Sequence, residues 1–147
     1  MGKYRRLTHV VYKCDYHIVF TPKYRFRILT GQVSSMLEHD IRTICEWKEV
    51  VVEEMNIQPD HVHMVVSIPP KVSVSDFMGI LKGKTAIKLF KSYPNLKKKP
   101  YWGNHFWARG YFVNTVGLDE DMIRRYVKYQ EDEERKAEKD RQDFTLF

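Results

Sequence analysis

No stretch of this 147-residue chain approaches the roughly 18 consecutive apolar residues of a membrane-spanning helix. A membrane span is therefore not expected. The start, Met1-Gly2-Lys3-Tyr4-Arg5-Arg6, is basic, but no apolar h-region follows, so a secretory signal is not expected either. Position 6 is Arg where the myristoylation pattern asks for Ser or Thr, so Gly2 does not fit that modification. Cysteine is scarce: Cys14 and Cys45 are the only two. They are far apart and lack CxxC spacing, which argues against a zinc–cysteine site and a disulfide framework. They read as small buried hydrophobes in a reducing cytoplasm. Internal repeats, low-complexity tracts and linkers are also missing. One domain spanning 1–147 is expected, long enough for a real core and too short for two ordinary domains.

What remains is globular and basic. Hydrophobic residues make up 43% and aromatics 14%, which excludes a disordered chain. The formal net charge of +6 suggests a polyanionic partner, nucleic acid first and an anionic membrane surface second. A lysine excess that only aids solubility is the alternative. The aromatic content favours nucleic acid, because bases stack on aromatic rings.

The pattern predicts six elements and a terminal helix. Asp15 to Thr21 is a β-branched and aromatic run stopped by Pro22, hence a strand. Gln32 to Trp47 has Val33, Met36, Leu37, Ile41 and Ile44 at helical spacing. Val50 to Ile57 and His61 to Ile68 read as strands joined by the turn Gln58-Pro59-Asp60. Ser73 or Ser75 then caps a helix that runs to about Tyr93, with Phe77, Ile80, Ile87 and Phe90 on one face. Gly83 falls in that stripe, either as close packing or as a weak point. Lys97-Lys98-Lys99-Pro100 reads as a loop. The segment from Phe106 to Val116 supplies a fourth strand after its glycine. Asp119 to about Lys139 is a charged final helix. The order β-α-β-β-α-β predicts an α+β, ferredoxin-like (RRM-like) antiparallel sheet with an added C-terminal helix.

His61-Val62-His63 carries the most chemistry. Two histidines one residue apart on a strand point to the same side. Val62, Met64, Val66 and Ile68 then form an apolar face, so the histidines belong on the face away from the helices. Such a pair is half of a divalent-metal site. On their own they also fit two partly exposed strand histidines with no ligand. Tyr126 and Gln130 are four apart on the final helix and share its face. A glutamine carboxamide oxygen is a neutral ligand. With two imidazoles it would leave positions open on Mg²⁺ or Mn²⁺ for phosphate oxygens. Tyr126 beside such a metal would be a nucleophile, although a helical tyrosine more often simply packs. Asp60 suits either a hydrogen bond that orients a histidine or a plain turn position. Lys84, Lys88 and Lys91 form a basic stripe, with Lys82 projecting elsewhere; DNA contact and a solvated face are both open. Arg25 and Arg27 are candidate phosphate contacts. His17 and His105 could also approach the site, and are kept as structural or DNA-contacting residues.

Four blocks in order make the chain resemble a known family. They are Tyr16-His17-Ile18-Val19-Phe20-Thr21-Pro22-Lys23-Tyr24-Arg25, Pro59-Asp60-His61-Val62-His63, the helix from Ser73 to Lys84, and Phe106-Trp107-Ala108-Arg109-Gly110-Tyr111-Phe112-Val113. Tyr126 and Gln130 complete a YxxxQ pattern. Together these resemble the single-tyrosine HUH transposases of small insertion sequences, the TnpA-like family with its REP-associated relatives. The resemblance implies a homodimeric, prokaryotic, cytoplasmic enzyme that cleaves and rejoins single-stranded DNA with hairpin ends. It implies that Tyr126 forms a 5′-phosphotyrosine while His61, His63 and Gln130 hold the metal. A domesticated relative acting on chromosomal palindromes is an alternative. A non-catalytic single-strand-binding module of RRM type is another. A hydrolase using the histidines and water would need a carboxylate base, for which only Asp60 is at hand.

Overall fold

The strands of the sheet are β-branched and aromatic runs, and each is placed by where its apolar residues can be buried. In a computed structural model, residues 4–97 and 105–116 are described, together with Asp132, Lys136 and Lys139. The elements are β1 (Arg5–Leu7), β2 (Val10–Tyr12), β3 (Asp15–Phe20), α1 (Gly31–Trp47), β4 (Val51–Gln58), β5 (His61–Ser67), α2 (Val74–Ser92), α3 (Pro94–Lys97) and β6 (Phe112–Thr115). From β3 to β6 they follow the predicted β-α-β-β-α-β order. The four strands form one antiparallel sheet in the order β4-β5-β3-β6, the ferredoxin-like arrangement.

β5 is the inner strand that fixes the layers. Val62, Met64 and Val66 are fully buried, and with Ile18 and Phe20 of β3 they pack against Leu37, Ile41 and Ile44 of α1 and Phe77, Met78 and Leu81 of α2. Both helices therefore lie on one face, as the pattern required. Each of these side chains contributes about 1.5–3 kcal/mol on burial. α2 begins where Ser73 accepts a hydrogen bond from the Asp76 amide at 3.0 Å, a cap that satisfies one orphan donor. The helix ends at Ser92, and Pro94 opens the separate short turn of α3, where a missing N–H costs nothing.

Three details differ from the sequence expectation. The buried stripe of α2 is Phe77, Met78, Leu81, Thr85 and Leu89. Ile80 and Phe90 flank it, but Ile87 is 70% exposed. Gly83 lies on the exposed side with nothing near its missing side chain. Thr85 enters the core because its hydroxyl is hydrogen-bonded to the Leu81 carbonyl and the Trp107 indole. The N-terminal hairpin β1-β2 was not foreseen. Arg5 anchors it by an ion pair with Glu53, at the bulge of β4 between Val52 and Glu54. Finally, the face away from the helices is not open along its whole length, since Val65 and Ser67 are also fully buried.

The approach to β6 is locked into the core by polar contacts. The Trp107 indole N–H donates to Thr85 Oγ at 3.0 Å, and that hydroxyl donates to the Leu81 carbonyl at 2.7 Å. Lys82 Nζ donates to the carbonyls of Ala108 and Gly110, each at 2.8 Å. Gly110 turns the chain with φ of 75°, a conformation open to glycine at little cost. Replacing Thr85 by Val keeps the volume but leaves the buried Trp107 N–H without an acceptor. Equilibrium denaturation of Thr85→Val should show a loss of about 1–3 kcal/mol; unchanged stability would mean that this lock is idle.

Candidate active site

The histidines sit where the alternation of β5 sends them. His61 and His63 are partly exposed on the face away from the helices, while Val62 between them is fully buried. Cross-strand pairing surrounds them. Gln58 stands opposite His61, and Asn56 stands opposite His63 on one side with Val19 on the other. Gln58 and Asn56 are exposed and joined by a hydrogen bond of 2.8 Å. The rim beside the pair on β4 is thus built of carboxamides.

Asp60 does more than make a turn. Its Oδ1 accepts from His61 Nδ1 at 2.9 Å, and its Oδ2 accepts from the Arg25 guanidinium at 2.9 Å. The hydrogen bond from His61, aided by Arg25, holds the Asp60 carboxyl below the usual carboxylate range. With Nδ1 engaged, the free lone pair of His61 is on Nε2. A carboxylate behind a ligating imidazole fixes its tautomer and raises its basicity. This donor set fits a divalent cation. Among the described residues, no group of three or more His, Cys, Asp and Glu side chains could hold a metal by itself.

Arg25 reaches Asp60 from an unusual backbone. Tyr24 and Arg25 have φ of 59° and 54°, in the left-handed region that costs a side-chain-bearing residue energy. The loop is pinned by the Lys23 amide donating to the Phe106 carbonyl and the Leu29 amide donating to the Pro59 carbonyl. Arg25 remains 69% exposed, and Arg27 is exposed nearby.

The predicted basic stripe is partly occupied. Lys88 pairs with the buried Asp40 of α1 at 2.7 Å, tying the two helices. Lys84 lies over the exposed ring of Trp47, 5.9 Å from its centre. Lys82 is spent on the two carbonyls before β6, and burial lowers its pKa. Lys91 borders a cavity of about 820 Å³ beside α2, with Lys97, His105, Arg109, Phe90 and Trp107. Tyr126 and Gln130 lie outside the described residues. Asp132, Lys136 and Lys139, further along the expected final helix, are helical and exposed.

The sequence reading underrated His17. It lies on β3, and its Nδ1 is 3.4 Å from Nε2 of His63. The register of β3 against β5 brings His17 diagonally beside His63, a placement that the sequence alone does not carry. Asn56 and Gln58 were missed for the same reason, since their places follow only from the register of β4.

The fold is that of a transposase. A crystal structure of a transposase from Deinococcus radiodurans R1 superposes with a TM-score of 0.71 at 31% identity, covering 86% of this chain and 97% of that one. The REP-associated tyrosine transposase, solved bound to a REP hairpin, shares the fold at a TM-score of 0.54 and 18% identity, over 88% of this chain and 70% of that one. The chain belongs to the IS200-like transposase family, whose model matches residues 10–130. It is 44% identical over 138 residues to the transposase of insertion sequence element IS200 from Salmonella typhimurium, covering 94% of this chain and 90% of the relative. It is 36% identical over 125 residues to the ISDra2 transposase TnpA of Deinococcus radiodurans, covering 84% and 89%.

The Asp60 geometry has a pH consequence. A carboxyl whose folded pKa is depressed contributes stability above its unfolded value, and loses it as pH falls through the folded one. A carbon-13 NMR titration should therefore place the Asp60 midpoint below the ordinary 3.8. Arg25→Ala should move it upward. A midpoint at the ordinary value would show that neither contact persists in solution.

Proposed function

We propose that this transposase cleaves and rejoins single-stranded DNA through a covalent tyrosine intermediate at a metal-assisted site. The observation that carries the reading is the pair His61 and His63, side by side on the solvent face, with His61 oriented by Asp60. Two neutral imidazoles leave a divalent cation open positions for phosphate oxygens. Gln130 is the third ligand in this reading, assigned from its spacing to Tyr126.

Tyr126 is the nucleophile. Its phenolic oxygen attacks the phosphorus of a phosphodiester. A tyrosine–phosphorus bond forms and the bond to the 3′ oxygen breaks. The phenolic proton passes by way of solvent to the departing 3′ oxygen, leaving a 5′-phosphotyrosine and a 3′-hydroxyl. Rejoining is the reverse attack by a different 3′-hydroxyl, so bond energy is kept and neither water nor ATP is consumed. Bound Mg²⁺ or Mn²⁺ would make the phosphorus more electrophilic and stabilise the departing oxygen.

The substrate in this reading is single-stranded DNA bearing hairpins at the element ends. Exposed Arg25 lies beside the histidine face through its contact with Asp60, and Arg27 is also exposed. Lys84 and Lys91 offer positive charge on the helix layer, where Lys88 is paired with Asp40. Lys82 serves first as the strut to the loop before β6. A homodimer is expected, with a site that can combine the histidine pair of one subunit with the tyrosine of the other.

The test is a denaturing gel of protein incubated with Mg²⁺ or Mn²⁺ and single-stranded DNA carrying the element's end hairpin. A covalent protein–DNA adduct should form and be absent in Tyr126→Phe. An adduct that survives that change puts the nucleophile elsewhere, and cleavage with no adduct favours a water-using hydrolase. Mixed dimers of Tyr126→Phe and His61→Ala subunits should regain part of the activity. Confirmed mixed dimers with no recovery would refute sharing between subunits.

A further inference from the structure

The contact between His17 and His63 has a defined geometry. The facing nitrogens are 3.4 Å apart, the ring centroids 5.7 Å apart, and the ring planes differ by 21°. Removing one ring radius at each end of the centroid line accounts for the nitrogen separation. The two nitrogens therefore lie close to that line, with the rings nearly coplanar and edge to edge. Lone pairs of two ligands of one metal would converge on a point off the line. Here the nitrogens point at one another, which is the geometry of a long N–H···N hydrogen bond with one proton between them.

Two placements of that proton are open. If His17 Nδ1 carries it, His63 uses its Nε2 lone pair as acceptor and keeps its own proton on Nδ1. Such a His63 has no lone pair for a cation. If His63 Nε2 carries it, His17 Nδ1 accepts and the Nδ1 lone pair of His63 is free. Cation binding thus selects the second placement.

We propose that His17 is the positioning residue of His63, accepting its Nε2 proton so that the Nδ1 lone pair is presented to a divalent cation. The role matches that of Asp60 toward His61, where Nδ1 donates to the carboxylate and Nε2 is left free. Each histidine of the pair is then held at one nitrogen by a neighbour and offers the other. The holders differ in origin. Asp60 precedes His61 in the chain, whereas His17 comes from β3 and depends on the register that sets Val19 opposite His63. This inference rests on the metal-site reading above and adds a residue that acts through His63.

Mn²⁺ binding to the full chain, followed by electron paramagnetic resonance, tests it without reference to activity. His17→Phe keeps a ring on β3 but removes the acceptor. His17→Asn puts a side-chain oxygen near the position of Nδ1. The expected result is a loss of affinity of about 10–100-fold in His17→Phe, with most of it recovered in His17→Asn. Nitrogen hyperfine couplings should count the same two imidazoles in all three proteins. Unchanged affinity in His17→Phe overturns the proposal while leaving the metal site standing. A third imidazole that vanishes in the variants makes His17 a ligand and overturns it too. Equal weakening in His17→Phe and His17→Asn reduces His17 to packing. Failure of the unaltered protein to bind Mn²⁺ removes the metal-site reading and this inference together.

Discussion

The alternation of side chains along β5 is the constraint on which everything else hangs. Val62, Met64 and Val66 are fully buried against two helices. A slip of one residue would turn all three to the other face and drive His61 and His63 into the apolar core. The lost burial alone is about 1.5–3 kcal/mol for each apolar side chain, before the cost of desolvating two imidazoles. A register displaced by one residue therefore does not compete. The core thus fixes the histidines without touching them. The partners beside them, His17 from β3 and Asn56 and Gln58 from β4, come from the register of the strand pairs.

The second element of the site is held by a different economy. Two consecutive left-handed residues, Tyr24 and Arg25, cost on the order of 1–3 kcal/mol each. The Arg25–Asp60 ion pair is too exposed to offset that by itself. The loop is instead fixed at its ends. The Pro22–Trp107 bridge and the Lys23 amide bond to Phe106 hold one end. Fully buried Leu29, whose amide reaches the Pro59 carbonyl, holds the other. Behind these stand the aromatic contacts of Phe20, Trp107, Phe106 and Phe90. Strain at Arg25 is therefore carried by the core, and the guanidinium arrives at Asp60 as a result.

Much of this was legible in the sequence. Strand β5 announced its two faces through the alternation from His61 to Met64, and Ser73 with Asp76 announced the start of α2. The order of elements then left the ferredoxin-like sheet as the economical arrangement. What failed to show has physical causes. Thr85 looked polar and so was left out of the buried stripe, although the Leu81 carbonyl and the Trp107 indole satisfy it. Ile87 looked buried by spacing alone, yet the helix is rotated to place Met78, Leu81 and Leu89 inward. Hairpin β1-β2 has strands of three residues each, too short for period-two patterning to register. The left-handed turn at Tyr24 and Arg25 left no mark, because neither residue is of the type that favours that region. Asp60 was ambiguous until its two oxygens were seen to have separate partners.

The Asp60 arrangement also resolves an electrostatic conflict. A carboxylate behind His61 makes that imidazole a better donor, but a bare negative charge there would repel an incoming phosphodiester. Arg25 answers this by pairing with the oxygen that His61 does not use. The net charge beside the histidine is then close to zero, while the donor effect on the imidazole is kept. Because the Arg25 side chain stays largely exposed, its remaining N–H groups face solvent and stay available to a phosphate. The neighbouring residues continue the logic. Asn56 and Gln58 bring hydrogen-bonding capacity without charge. On the reading proposed here, orientation of the histidines and tolerance of a polyanion are two demands on one small surface. They are met together, among the described residues, by the uncharged Asn56 and Gln58 and by the pairing of Asp60 with Arg25.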